Sequence, residues 1–291
     1  VALTFDDLPS HGPLPAGMSR VDVARSIIDT LRRRGTPPIY GFINAKSAAA
    51  DRPDEVEVLR LWRAAGFPLG NHAFSHMDLN ASTVEAFEQD VRANEATLHR
   101  LMGDGSPPKR SAKADGAWRW LRFPYLREGD TVEKHRAITA WLKAERYRVA
   151  QVTLSFDDYA YNAPYVRCLA KGDRAGVSLL EQSYLTRAEA SLAQGQNAAR
   201  TVFGRDVPHV MLLHIGAFET VMLPRLLDLL KQRGFTLTTL EEAQADAAYT
   251  GSPDLPANFT GTWLEQWMRA RGTPLPPEPG NPLQVLSTVC S

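Results

Sequence analysis

Cysteine is nearly missing: Cys168 and Cys290 are the whole complement of a 291-residue chain. Two cysteines allow at most one internal disulfide, and these two lack the paired spacing of a zinc or redox motif. Whether they pair stays open, with pairing favoured if the protein is exported. Charge of one sign is missing too, since 33 Lys and Arg balance 33 Asp and Glu. That balance withholds the basic surface a nucleic-acid binder uses, so no nucleic-acid partner is expected. No apolar run reaches the roughly 18–20 residues of a membrane span, so no transmembrane segment is expected. Repeats and low-complexity stretches are absent. There is no signal-peptide pattern and no initiator Met, yet the chain opens directly in what reads as a core strand. This points to a removed leader and to an exported protein, periplasmic or secreted. What the chain does have is 44% hydrophobic residues, enough to build one large domain or two ordinary ones.

Apolar periodicity gives alternating strands and helices. Strand-like runs fall at 1–7, 38–43, 67–70, 117–123, 147–154, 208–213 and 235–238. Helical patterns fall at 21–34, 54–65, 82–102, 131–146, 176–202, 220–233, 240–248 and 262–270. Gly35, Gly66 and Gly234 stop three of them. Ser82 to Glu85 offers a capping box, 103–116 reads as a polar loop, and Asn162-Ala163-Pro164 reads as a break. The alternation indicates an α/β fold with a mainly parallel sheet, and about seven strands can close into a barrel. Composition shifts at Gly251. The expected division is a domain over 1–250 and a Pro-rich extension over 251–291, packed on the barrel through Trp263 and Trp267.

Four strand-like runs end in groups useful for chemistry. The first ends at Asp6 and Asp7, and the second leads into Asn71-His72-Ala73-Phe74-Ser75-His76. The third leads through Leu121-Arg122-Phe123-Pro124-Tyr125, and the fourth ends at Leu212-Leu213-His214. With Asp158-Tyr159, these stretches resemble, in order and spacing, the motifs of the polysaccharide deacetylase family, the NodB-homology hydrolases. The resemblance runs over about 1–245. It implies a distorted (β/α) barrel and metal-dependent removal of acetyl groups from carbohydrate. Three positions depart from the pattern: Leu8 replaces a Gly, Ala73 a Ser or Thr, and Tyr159 a Trp. Ala73 removes a hydroxyl expected to stiffen the metal loop, so Ala73→Thr is expected to tighten metal binding.

Asp7, His72 and His76 form a plausible divalent metal site, their donors suiting Zn first, then Co or Ni. Three protein ligands leave positions open for water and substrate. The spacing of the histidines puts both rings on one side of a helical turn. Ala73 stands where a zincin has its Glu, which excludes that class. Asp6 is the candidate general base and Arg122 the residue that keeps it ionised. His214 is the candidate general acid, oriented by Asp158, with Asp157 the competitor for that role. The resemblance assigns Pro124, Tyr125, Tyr159 and Leu212 to substrate binding, with the Tyr125 backbone N–H facing the oxyanion. His11 and His209 are expected to have no part in the site. N-acetylated sugar is the expected substrate and acetyl ester the next. The rival expectations are a non-sugar amidohydrolase, allantoinase-like or cyclic-imide-like, and an inactive carbohydrate-binding domain.

Overall fold

The structure is a computed structural model that describes residues 1–49, 52–103, 118–253, 255–275 and 282–291. Most of the expected polar loop, Ala117 and part of the Pro-rich tail lie outside them. Six parallel strands form one curled sheet in the order β5-β4-β3-β2-β1-β6. They are β1 (Ala2–Leu8), β2 (Tyr40–Ile43), β3 (Leu69–Asn71), β4 (Trp120–Leu121), β5 (Arg148–Val149) and β6 (Val210–His214). The helices surround the sheet: α1 (Arg20–Arg33), α2 (Ala45–Ala49), α3 (Pro53–Ala64), α4 (Val84–Met102), α5 (Val132–Ala144), α6 (Asn162–Lys171), α7 (Arg174–Phe203), α8 (Glu219–Gln232), α9 (Leu240–Ala243), α10 (Trp263–Ala270) and α11 (Pro282–Thr288). No helix among the described residues is long and apolar enough to cross a membrane.

Period-two alternation decides which strand residues face inward. Leu3, Phe5, Leu69, Met211 and Leu213 join the large core beneath the helices, with α1 supplying Val23, Ile27 and Leu31. Ala2, Tyr40, Phe42, Trp120 and Val210 fill the interior of the curl. Gly70 is part of that interior, because a Cβ there would stand 2.5 Å from the Phe42 ring. The same inward face carries Thr4 and Asp6 on β1 and Leu212 and His214 on β6, and β4 leads on to Arg122. Parallel strands bring these positions to one mouth, at the carboxyl ends where barrel enzymes place their chemistry.

The expected seventh strand is not formed. Residues 235–238 belong to no strand, although Thr238 N–H donates to Val1 O at 3.0 Å. Closure comes from the run expected as a single strand over 147–154. Its start pairs with β4, while its end bridges β6, Leu154 to Met211, so one segment reaches both sheet edges. A single edge-to-edge crossing leaves too few residues for a regular ladder on either side. The strand expected over 117–123 shrinks to Trp120–Leu121. Asn162-Ala163-Pro164 opens α6 instead of breaking the chain, since Pro is tolerated in a first helical turn where its missing N–H costs nothing. The expected helix over 176–202 lengthens to become α7.

Beyond 250, residues 257–260 pair antiparallel with 127–131, and Gly261 N–H donates to Leu126 O at 3.2 Å. Trp263 is buried and its Nε1 donates to Ala248 O at 2.8 Å. Leu264 and Met268 of α10 pack on Ala198, Ala199 and Val202 of α7. Cys168 on α6 and Cys290 after α11 form a disulfide.

Candidate active site

Strand alternation would send Asp6 and Asp7 to opposite faces, yet both reach the mouth. The pairing of β1 with β2 shifts register between Phe5 and Leu8, and Asp7 takes a left-handed φ of 63°. This bulge swings Asp7 back toward the interior, in a conformation Asp tolerates better than most residues. Asp7 Oδ1 then lies 3.6 Å from His72 Nε2 and 3.4 Å from His76 Nε2. One ligand atom from each of the three residues falls within 4.8 Å of the others.

These residues fit a divalent cation. Asp7 Oδ1 is buried and has no hydrogen-bond partner, which is costly without a positive neighbour. His72 Nδ1 donates to Arg122 O at 2.7 Å, fixing the tautomer that leaves the Nε2 lone pair toward Asp7. Burial, with His72 beside it, pulls the His76 pKa down to about 4, so the ring is neutral at pH 7 and can ligate. Burial alone would raise the Asp7 pKa, but the bond from His11 and the surrounding imidazoles bring it well below the usual carboxylate range. The histidines do not share a helical turn as expected. Residues 72–76 form an irregular loop with left-handed Ala73 and His76, which brings the two rings to 4.9 Å.

Asp6 is 2% exposed and receives Arg122 Nη1 at 3.0 and 3.1 Å on its two oxygens. Arg122 also donates to Ala150 O at 2.7 Å and Thr4 Oγ1 at 3.1 Å, and lies over the Phe42 ring. It therefore ties β1 to the closing segment while it pairs Asp6. On the opposite side, His214 Nδ1 meets Asp158 Oδ1 at 2.9 Å, and His214 N–H donates to Asp158 Oδ2 at 2.7 Å. Burial works against the His214 imidazolium, but the Asp158 carboxylate more than offsets it and raises the pKa to about 9. Asp157, the competitor, pairs with Arg187 at 3.3 Å. Pro124 is buried, and Tyr125 follows it at a φ of 58°, its N–H bonded to no described residue. The Tyr125 ring is 57% exposed and 4.5 Å from His76, while Tyr159 is 38% exposed and 5.3 Å from His214. The two tyrosines flank the mouth. Leu212 is buried one inward position below His214.

The reading of His11 changes here. His11 is part of the site: its Nδ1 lies 2.8 Å from Asp7 Oδ2 and its Nε2 3.3 Å from Tyr159 O. Arg20 fastens the loop by donating to His11 O at 2.9 Å and Gly12 O at 2.6 Å. The only sequence signal was an unusually long loop directly after the aspartates. With His11 holding one oxygen, the other is presented to His72 and His76. His11→Leu should weaken divalent-metal affinity about 10–100-fold, and His11→Asn, which keeps a donor near Nδ1, should restore most of it. Competition against a chromophoric chelator reads this directly, and unchanged affinity in His11→Leu would mean that Asp7 needs no such tie.

The premise for Ala73→Thr, a loop short of one tie, is not what the structure shows either. The loop lacks no support: Asn71 Oδ1 accepts from Ala73 N–H at 2.9 Å, and Asn44 holds the carbonyls of His72 and Ala73. Ser75 bonds both Asp90 oxygens, at 2.8 and 3.0 Å. Ala73 itself is 0% exposed at a φ of 58°, which a β-branched residue adopts only under strain. Ala73→Thr should destabilise the fold by about 1–3 kcal/mol through overpacking, with backbone strain in addition. A denaturant titration that found it neutral or stabilising would contradict this packing. His209 stays outside the site as expected; it is buried at the other end of β6, 3.2 Å from Thr153 Oγ1, and burial lowers its pKa to about 4.

Residues 1–140 match the family described as polysaccharide deacetylase. A chitin deacetylase of Arthroderma benhamiae is 24% identical over 201 residues, covering 67% of this chain and 46% of the relative. The chain thus spans about half the length of that curated protein. Among solved structures, the chitin deacetylase of Colletotrichum lindemuthianum aligns with a TM-score of 0.54 at 22% identity, covering 86% of this chain and 88% of that one. The Xyl-CE4 domain of a multidomain xylanase from the hindgut metagenome of Trinervitermes trinervoides gives 0.52 at 15%, covering 89% and 96%. BA3943 of Bacillus anthracis, described as a CE4 family pseudoenzyme, gives 0.52 at 12%, covering 83% and 64%. At these identities the structural likenesses speak for the fold.

Proposed function

We infer the reaction from one premise, that the chain belongs to the polysaccharide deacetylase family. The proposed activity is metal-dependent hydrolysis of acetyl groups on carbohydrate, N-acetyl first and acetyl ester second. The observation that carries it is the buried, unpartnered Asp7 Oδ1 facing two imidazole nitrogens at the mouth of the barrel.

Asp7, His72 and His76 would hold the cation, with Zn the first choice for this donor set and Co or Ni next. A divalent cation, when bound, supplies a Lewis acid that acidifies water and polarises the acetyl carbonyl. Asp6, held in place by Arg122, takes the proton from the attacking water. The Tyr125 N–H donates to the carbonyl oxygen as it gains negative charge, and Pro124 holds that turn in place. His214 gives its proton to the departing amine, and Asp158 keeps the ring charged and correctly turned. Leu212 and Tyr159 supply apolar surface beside His214 for the acetyl methyl. Residues 1–250 make up the catalytic unit, and the extension over 251–291 braces its rim. The Cys168–Cys290 disulfide supports work in an oxidising, extracytoplasmic compartment.

The test is acetate release from chitooligosaccharides, peptidoglycan and acetylxylan. Release from at least one is expected. Release from none, with turnover of a cyclic imide or ureide instead, would favour the non-sugar amidohydrolase. A chain that binds these glycans and releases nothing would be a binding domain.

A further inference from the structure

Three segments of the mouth meet at one buried side chain. Asn162, the first residue of α6, is 2% exposed. Its Nδ2 donates to Pro13 O at 2.8 Å, in the loop after β1 that carries His11. Its Oδ1 accepts from Phe218 N–H at 3.1 Å, at the end of the loop that follows β6 and His214. Its own backbone continues the turn Asp158–Tyr161. Both loops approach so closely that they need glycine. A Cβ on Gly12, which has a left-handed φ of 61°, would stand 2.5 Å from Asn162 Nδ2. A Cβ on Gly216 would stand 3.0 Å from Asn162 Oδ1.

The segments so joined belong to different halves of the site. His11 holds Asp7 Oδ2 and so belongs to the metal half. His214 and Asp158 form the acid half. The ladder between β1 and β6 aligns the two halves only as far as Asp6 and His214. Past the strand ends, the loops must be set by side chains. Arg20 fastens the His11 loop to the start of α1, not to the acid half. We propose that Asn162 is a positioning residue: it fixes the acid half against the metal half, so that His214 meets the leaving group of an acetyl bound over Asp7, His72 and His76. The proposal rests on the deacetylase function above and adds a residue that acts through two loops. A carboxamide suits the task, because it carries one donor and one acceptor in a rigid plane. Without it the buried Phe218 N–H loses its partner, so the loop after His214 must shift to find another.

The test is Asn162→Leu, which keeps the side-chain size and removes both bonds. Two quantities are read on folded protein: Zn affinity by chelator competition, and the ratio of kcat/KM on an N-acetylglucosamine pentamer to that on para-nitrophenyl acetate, an ester whose leaving group needs no proton. Zn affinity should fall about tenfold, because the loop that presents His11 to Asp7 loosens. The amide-to-ester ratio should also fall about tenfold, because a misplaced acid costs only the substrate that needs it. A loss of stability alone would lower both activities together and leave the ratio in place. Either quantity unchanged in Asn162→Leu overturns the proposal. Should that variant fail to fold, Gly216→Ala decides, since its methyl presses on Asn162 Oδ1 from the His214 loop. A lowered ratio there sustains the proposal, and an unmoved ratio overturns it. If wild type turns over neither substrate, the deacetylase function has failed, and the Zn affinity of Asn162→Leu decides the tie separately: lowered affinity sustains it, unchanged affinity overturns it.

Discussion

Asp6→Asn should lower kcat by about a hundredfold or more and leave the metal centre loaded. The two aspartates are adjacent but differently employed. Asp7 turns an unpartnered oxygen toward His72 and His76, whereas both oxygens of Asp6 receive Arg122. An amide at position 6 still accepts from Arg122 but cannot take a proton from water. Arg122 keeps its bonds to Ala150 and Thr4, so the barrel should fold with most of its stability. Arg122→Ala is different in kind: it strands the buried Asp6 charge and should cost about 3–5 kcal/mol as well as activity. The check on Asp6→Asn is metal content measured beside kcat. If Asp6→Asn empties the site while Asp7→Asn does not, the roles of the two aspartates are exchanged.

Replacing His214 by Ala should slow amide hydrolysis more than ester hydrolysis, because an amine leaves poorly without a proton while an alkoxide leaves more readily. The His214 proton must be present for the acid step, so kcat/KM should fall on the alkaline side as pH passes its pKa. Asp158 raises that pKa to about 9, and a dication on Asp7 would pull the limb somewhat lower. Asp158→Asn removes the group that offsets burial, so the alkaline limb should move to lower pH in either case. The measurement is kcat/KM against pH on one amide and one ester, for wild type, His214→Ala and Asp158→Asn. Equal losses on both substrates, with the limb unmoved in Asp158→Asn, would make His214 a wall residue and the Asp158 pairing irrelevant to the acid step.

Strand ends were readable in the sequence because parallel strands obey simple alternation. Asp6, Leu212 and His214 share inward parity, and apolar runs precede each motif. The convergence of Asp7 with His72 and His76 was expected from residue types, but its cause was not legible. Alternation argues against it, and only the bulge at 5–8 with a left-handed Asp7 reconciles the two. The sequence favoured Asp158 over Asp157 but could not fully separate them, because adjacent carboxylates part only where a backbone turn points them apart. Here Asp157 is left-handed and faces Arg187. The tie from His11 to Asp7 and the support of the Ala73 loop by Asn44, Asn71 and Asp90 come from long-range contacts that no local pattern encodes. The run expected as one strand over 147–154 misled for a related reason. An alternating segment predicts a pleat, but cannot say that its two halves belong to opposite edges of one sheet.

The central claim is that one divalent ion on Asp7, His72 and His76 is needed for acetate release. Metal content and acetate release should be measured on one preparation of the whole chain, as purified, after chelation, and after return of Zn, Co or Ni. The account predicts about one ion per chain, release that falls to background on chelation and returns with metal, and a His76→Ala protein that neither retains the ion nor recovers. Full acetate release from demonstrably metal-free protein would contradict it.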